Sequence, residues 1–154
     1  MRGYTLIEIL VTMSVMAVMA AIALPHFDSR RLEINNAQRL LIANLRQARF
    51  NAISKSIHFQ VSFPQNDHVV VSRMKENPAG SGTWEVDTTE PTNVQTTSLP
   101  AGTTVKSAAV GTTIEFNSRG IVLNMNTAKQ VDVQDTFGVT RSLQVWPSGQ
   151  VNEL

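Results

Sequence analysis

Apolar and polar residues recur along this 154-residue chain with three different periods, and each period predicts a different element. From Tyr4 to Phe27 the run is apolar almost without a break, and Glu8 is its only charged residue. As a helix, these about 24 residues would reach about 36 Å at ~1.5 Å per residue, enough to cross a hydrocarbon core of ~30 Å. Pro25 near the far end lacks an N–H and crowds the preceding turn, which predicts a kink. From residue 28 to 56 the period is about 3.6. Ile34, Ala37, Leu41, Leu45, Ala48 and Ala52 step by three and four, with Leu40, Ile42 and Ile53 widening the stripe. An amphipathic helix follows, with Arg39, Arg46 and Arg49 turned largely away from its apolar face. Joined to the first run it would make one helix of roughly 80 Å.

The period then drops to two. Ile57, Phe59, Val61 and Phe63 alternate with His58, Gln60 and Ser62, the pattern of a half-buried strand. Pro64 to Asp67 supplies turn residues, and His68 to Met74 reads as the return strand of a hairpin. Trp84 and Val86 mark a short strand after a loop at 76–82. The stretch 87–102 is rich in Thr, Pro, Asn and Ser and reads as a long surface loop. Further short strands are expected at 112–116, 121–123, 130–134, 139–145 and 150–154, separated by turns at Asn117 to Gly120, around Asp135 and Gly138, and at Pro147 to Gly149. Short strands with tight turns after a long helix predict an α+β fold, an antiparallel β head packed on the amphipathic half-helix.

Charge sharpens this division. Residues 28–56 carry six basic side chains against two acidic ones, a net +4, whereas residues 57–154 carry six against nine, a net −3. A basic stem with a mildly acidic head suits packing between subunits better than a nucleic-acid surface on the head. There are no cysteines, so no disulfide staples the head, and thiol nucleophiles and cysteine zinc sites are excluded.

Glu8 is costly near the start of a membrane segment, and an intramembrane carboxylate is by default a functional residue. The string Gly3-Tyr4-Thr5-Leu6-Ile7-Glu8 followed by the apolar run resembles the N-terminus of type IV pilins and type II secretion pseudopilins. The resemblance implies a leader at 1–3 cut between Gly3 and Tyr4 by a prepilin peptidase, methylation of Tyr4, a transmembrane or filament-core helix at 4–27, an amphipathic helix at 28–56, and a periplasmic head at 57–154. It also implies that Glu8 pairs with the N-terminal amine of a neighbouring subunit. A charge pair in a dry filament core is strongly attractive, and either charge left alone there costs several kcal/mol. The stem from Leu40 to Arg49 with Asn51-Ala52-Ile53, and a tail of Phe116, Gly120, Gly138, Arg141, Val145, Pro147 and Gly149-Gln150-Val151, are similar to the GspH/FimT family of minor pseudopilins and pilins. The implied function is that of a minor pilin-like subunit priming or capping a type IV pilus at the bacterial inner membrane. A GspH-type minor pseudopilin of a type II protein secretion system is the close alternative. The implied partners are other pilin subunits, the peptidase and methyltransferase, an inner-membrane assembly platform and the membrane itself.

Two plainer readings of the first 27 residues compete. Ala21-Ile22-Ala23 fits a small-x-small signal-peptide cleavage site, but Glu8 then falls inside the apolar region, which is also longer than the usual 7 to 15 residues. A simple anchor accounts for the hydrophobicity but not for the Gly3–Glu8 string. Elsewhere, His58 and His68 could face each other across the first hairpin beside Asp67, although histidines on a polar strand face are more often solvated, and no metal site or cofactor is expected. His26 reads as an interfacial anchor, and Trp84 and Trp146 as core or sheet-covering residues. No catalytic constellation is present in the pattern, so an enzyme is not expected. DNA uptake, implied for some FimT-like proteins by a basic tail, is disfavoured because Pro147 to Leu154 contains no Lys or Arg.

Overall fold

The computed structural model describes residues 5–23, 29–106, 111–123 and 125–154. They form two helices, α1 (Leu6–Ala23) and α2 (Ser29–Lys55), and nine strands: β1 (Phe59–Gln65), β2 (His68–Glu76), β3 (Trp84–Val86), β4 (Val94–Ser98), β5 (Thr103–Val105), β6 (Thr113–Phe116), β7 (Lys129–Asp135), β8 (Thr140–Val145) and β9 (Val151–Glu153). The chain divides into two compact units, 1–32 and 33–154. Pro25, and with it the expected kink and helix continuity, lies outside the described residues.

The second unit is built on the apolar stripe of α2. Ile34, Ala37, Leu41, Leu45, Ala48 and Ala52 are all buried, and Leu40 packs against them. Apart from Ile34, the buried members share one cluster with the inward residues of two antiparallel sheets: Phe59, Val61 and Phe63 of β1, Val69 and Val71 of β2, Ile114 and Phe116 of β6, Val131 and Val133 of β7, and Leu143 and Val145 of β8. The first sheet runs β3-β2-β1-β6, with β4 also on β2; the second runs β5-β7-β8-β9. Both strands β3 and β4 pair with β2, β4 along His68–Ser72 and β3 along Met74–Glu76. Two buried amides tie α2 to the sheets: Gln38 donates to Ser142 O of β8 at 2.8 Å, and Asn44 Oδ1 accepts the Thr97 hydroxyl of β4 at 3.3 Å.

The helix closes with a Schellman motif, Ile57 N donating to Ala52 O at 3.2 Å and Ser56 N to Ile53 O at 3.3 Å. Ser56 holds the left-handed position at φ 54°, where glycine is the usual occupant. Period two then takes over at once, because Phe59, Val61 and Phe63 must face the core.

Three sequence expectations are corrected. The stretch 87–102 is not an open loop, since β4 pairs there with β2 through five residue partners. Its entry is organised by buried Asp87. One carboxylate oxygen, Oδ1, accepts the Thr89 hydroxyl at 2.6 Å and the Thr89 N–H at 3.2 Å, and the other, Oδ2, accepts Asn93 Nδ2 at 3.0 Å. An edge strand held by backbone bonds needs little apolar content, which is why the composition of Val94–Ser98 misleads. Ile53 is 47% exposed, because its side chain lies at the Gly120 turn and not in the core. Arg46 and Arg49 do not turn away from the head. Their aliphatic stems lie along it, and their guanidinium groups donate to Val151 O at 3.3 Å and Ser148 O at 3.2 Å.

Leu45→Ala removes a fully buried side chain from the seam and should cost about 2 to 5 kcal/mol in a urea titration, whereas Arg39→Ala on the exposed side should change stability by under about 0.5 kcal/mol. Ser56→Gly should raise stability by about 1 kcal/mol, by relieving a left-handed residue that carries a Cβ. The Asp87 carboxyl is held below its ordinary range, first by the Thr89 hydroxyl and then by the Thr89 N–H, with the charges of Lys75 and Arg73 adding to the effect. A lowered folded pKa stabilises at pH above the unfolded value and is lost as pH falls through the folded one. Hydrogen exchange at Thr89 and along β4 should therefore be slow at neutral pH and rise as pH drops below about 4, the unfolded carboxyl range, with Asp87→Asn raising it at neutral pH.

Candidate assembly site

Helix α1 begins where Thr5 caps it. The Thr5 carbonyl accepts Glu8 N–H at 3.1 Å and Ile9 N–H at 3.3 Å, and its hydroxyl lies 3.4 Å from Glu8 N. Thr5 and Glu8 occupy the first and last positions of a capping box, and a carboxylate in the first turn also faces the positive end of the helix dipole. Every described side chain of α1 is exposed, the large apolar ones between 48% and 81%. Leu6, Ile7, Leu10, Val11, Met13, Val15, Met16 and Val18 lie all around it, so no face is polar. A helix apolar on all sides is stable only when surrounded by lipid or by other apolar helices.

The remaining polar groups fit that reading. Thr12 donates its hydroxyl to Glu8 O at 3.0 Å and Ile9 O at 2.9 Å, and Ser14 donates to Leu10 O at 2.8 Å. Both hydroxyls are satisfied within the helix, as an apolar environment demands. Glu8 is the exception: no described residue bonds its carboxylate. At 18 residues, α1 spans about 27 Å at ~1.5 Å per residue. Among the described residues no helix is long and apolar enough to cross a membrane. The expected span of 4–27 reaches past both ends of α1, and Gly3, Tyr4, Pro25 and His26 lie outside the described residues.

The other candidate residues are not brought together. His58 and His68 sit at opposite ends of the β1–β2 hairpin, because Phe59 pairs with Arg73 and Gln65 with His68. His58 Nδ1 lies 2.8 Å from Glu115 Oε1, its ring stacked on Trp84 with centroids 3.8 Å apart, and His68 Nδ1 lies 2.7 Å from Asp67 Oδ1. Among the described residues no group of three His, Cys, Asp or Glu could hold a metal. Trp84 is half-buried and stacks on His58, while Trp146 is 43% exposed.

Sequence reasoning missed one junction. Gly120 and Gly149 end two turns that meet against α2, where a Cβ on Gly149 would stand 2.0 Å from Gly120 O, and one on Gly120 would stand 2.6 Å from Ile53 Cδ1. Both glycines also have positive φ, so neither tolerates a side chain. Their spacing to Pro147 was visible in the tail pattern, but their mutual contact depends on the fold.

Residues 1–24 match the model of the prokaryotic N-terminal methylation motif. No curated protein matches the chain. Among solved structures, the type IV minor pilin FimU of Pseudomonas aeruginosa is 18% identical, with 82% of this chain and 91% of that one covered and a TM-score of 0.55. A second crystal form of FimU is 16% identical, with 78% and 91% covered and a TM-score of 0.55. The minor pseudopilin EpsH of the Vibrio cholerae type 2 secretion system is 13% identical, with 79% and 96% covered and a TM-score of 0.56. The chain therefore has the α+β fold of pilins, an N-terminal helix and antiparallel sheets. In this chain that fold follows a methylation motif at residues 1–24.

Proposed function

We propose that the chain is a minor pilin-like structural subunit of a type IV pilus, anchored in the bacterial inner membrane with its head in the periplasm, where it primes or caps filament assembly. The observation that carries this reading is α1, apolar on every side and exposed, with one carboxylate in its first turn that no described residue bonds. Such a helix exchanges lipid for neighbouring helices at little cost in apolar burial, and Glu8 then sets its register by meeting the amine of a neighbour's Tyr4. Prepilin peptidase cleaves between Gly3 and Tyr4 and the new terminus is methylated, as the motif over residues 1–24 supports. Other pilin subunits and an inner-membrane assembly platform are the partners. The role is structural and not enzymatic, and no cofactor takes part.

A second reading, a GspH-type minor pseudopilin of a type II secretion system, is favoured by the likeness to EpsH, whose TM-score of 0.56 and 96% coverage stand beside 0.55 and 91% for FimU. DNA uptake has less support, since the tail from Pro147 to Leu154 lacks any basic residue that could neutralise phosphate.

Mass spectrometry of the membrane-extracted protein should find a chain that begins at methylated Tyr4, and Gly3→Ala should largely block the cut. A terminus at Leu24 would instead make the N-terminal segment a signal peptide and end the filament reading. Glu8→Leu should accumulate in the membrane at wild-type level or above, because an acid leaves an apolar helix, yet be absent from sheared filaments or tip complexes. Normal incorporation of that variant would remove the pairing role.

A further inference from the structure

A groove of about 370 Å³ runs between α2 and β9, and the function proposed above makes no use of it. Phe50 and Ile53, three residues apart on α2 and 69% and 47% exposed, give it apolar surface. Arg46 and Arg49 line the same side, and among the described residues neither has a carboxylate partner. Each guanidinium rests on a neutral carbonyl, Val151 O at 3.3 Å and Ser148 O at 3.2 Å. Those distances lie at the long end of N–H···O bonds, and a carboxylate is the stronger acceptor for a guanidinium.

The far side is β9, an edge strand of the second sheet. Trp146 N donates to Gln150 O at 2.9 Å and Leu154 N to Ser142 O at 3.1 Å, which fixes the phase of the β8–β9 ladder. The Gln144–Asn152 pair between them is then the hydrogen-bonded one, so the N–H and C=O groups of Val151 and Glu153 point away from β8. An edge of this kind is a template for one more strand.

We propose that this groove docks an extended, acidic segment of a neighbouring subunit as an added strand on β9. Its carboxylates meet Arg46 and Arg49, and an apolar side chain covers Phe50 and Ile53. Arg46 exchanges the Val151 carbonyl for a carboxylate, which frees that carbonyl to accept an N–H from the incoming strand. Charge complementarity selects the chemistry of the occupant: the groove offers two cations that no described carboxylate meets, so the docked segment is one that carries carboxylates. That the donor is a filament subunit rests on the proposed function; the chemistry of the groove does not.

The test uses the full-length chain in detergent micelles and the fluorescein-labelled peptide Glu-Val-Thr-Val-Glu-Val-Thr, read by anisotropy. It should bind at least about 10-fold more tightly than its counterpart with lysine for glutamate, and N-methylation of alternate peptide amides should cost a similar factor. Arg46→Gln and Phe50→Ser, both at exposed side chains, should each weaken binding by at least about 10-fold while leaving the melting profile unchanged, and Arg39→Gln should not weaken it. Equal binding of the glutamate and lysine peptides, or undiminished binding to Arg46→Gln and Phe50→Ser, would overturn the proposal. So would a preference for labelled oligothymidylate over the glutamate peptide, which would assign the arginines to phosphate. The mass of the N-terminus is measured on the same preparations, so failure of the filament reading registers separately from failure of the groove.

Discussion

The burial of one helix stripe between two sheets is the constraint on which the head depends. Ile34, Leu41 and Leu45 supply bulk, while Ala37, Ala48 and Ala52 let the strands approach the helix closely. With no disulfide to restrict the unfolded chain, this seam has to overcome the conformational entropy of the head by packing alone. Its polar members are accordingly placed where they finish a bond rather than leave one open. Gln38 reaches β8 and Asn44 reaches β4, so the two buried amides that touch the seam each fasten α2 to a different sheet. The polar satisfaction of the core and its topology are thus one feature.

Helix α1 obeys the opposite rule. It has the composition of a buried element, yet its apolar residues are exposed on all sides. A helix of this kind is stable in a bilayer or among other apolar helices. Thr12 and Ser14 are already closed on their own backbone and ask nothing of those surroundings. No described residue bonds the Glu8 carboxylate, and under the proposed function that one group decides register in a helix whose other contacts are interchangeable.

The features legible in the sequence were those set by local period. The stripe from Ile34 to Ala52, the hairpin after Ser56 and the turns at Asn117 to Gly120 and Pro147 to Gly149 each follow from a pattern contained within a few residues. What was not legible depends on distant partners. Strand β4 looks like loop because Val94–Ser98 owes its order to β2 and to the Asp87 turn, not to apolar content. His58 and His68 looked opposed because a hairpin brings its strands together, but register puts them at opposite ends. Arg46 and Arg49 read as solvent-facing from their place on the helical wheel. A long side chain is not bound by the direction of its Cβ, and both return to the head. Glu8 stands out in the sequence by its cost in an apolar run, whereas the groove beside β9 needs residues about 100 positions apart in the chain and leaves no local signal.

The glycine junction explains how backbone sets the wall of that groove opposite the α2 side chains. Gly120 and Gly149 bring two turns so close that one carbonyl occupies the place of the other's missing Cβ, and Val122 N donates to Pro147 O at 2.9 Å beside them. This fixes the start of β9 directly against Arg49, whose Nε is buried there with no partner among the described residues. A buried guanidinium N–H left unpaired is a cost, and retaining Arg49 at that point gives a cation whose outer end is held at the groove by Ser148 O. A neutral, shorter residue would relieve the cost and lose the charge. The arrangement is therefore better matched to presenting positive charge beside an open strand edge than to stabilising the isolated head.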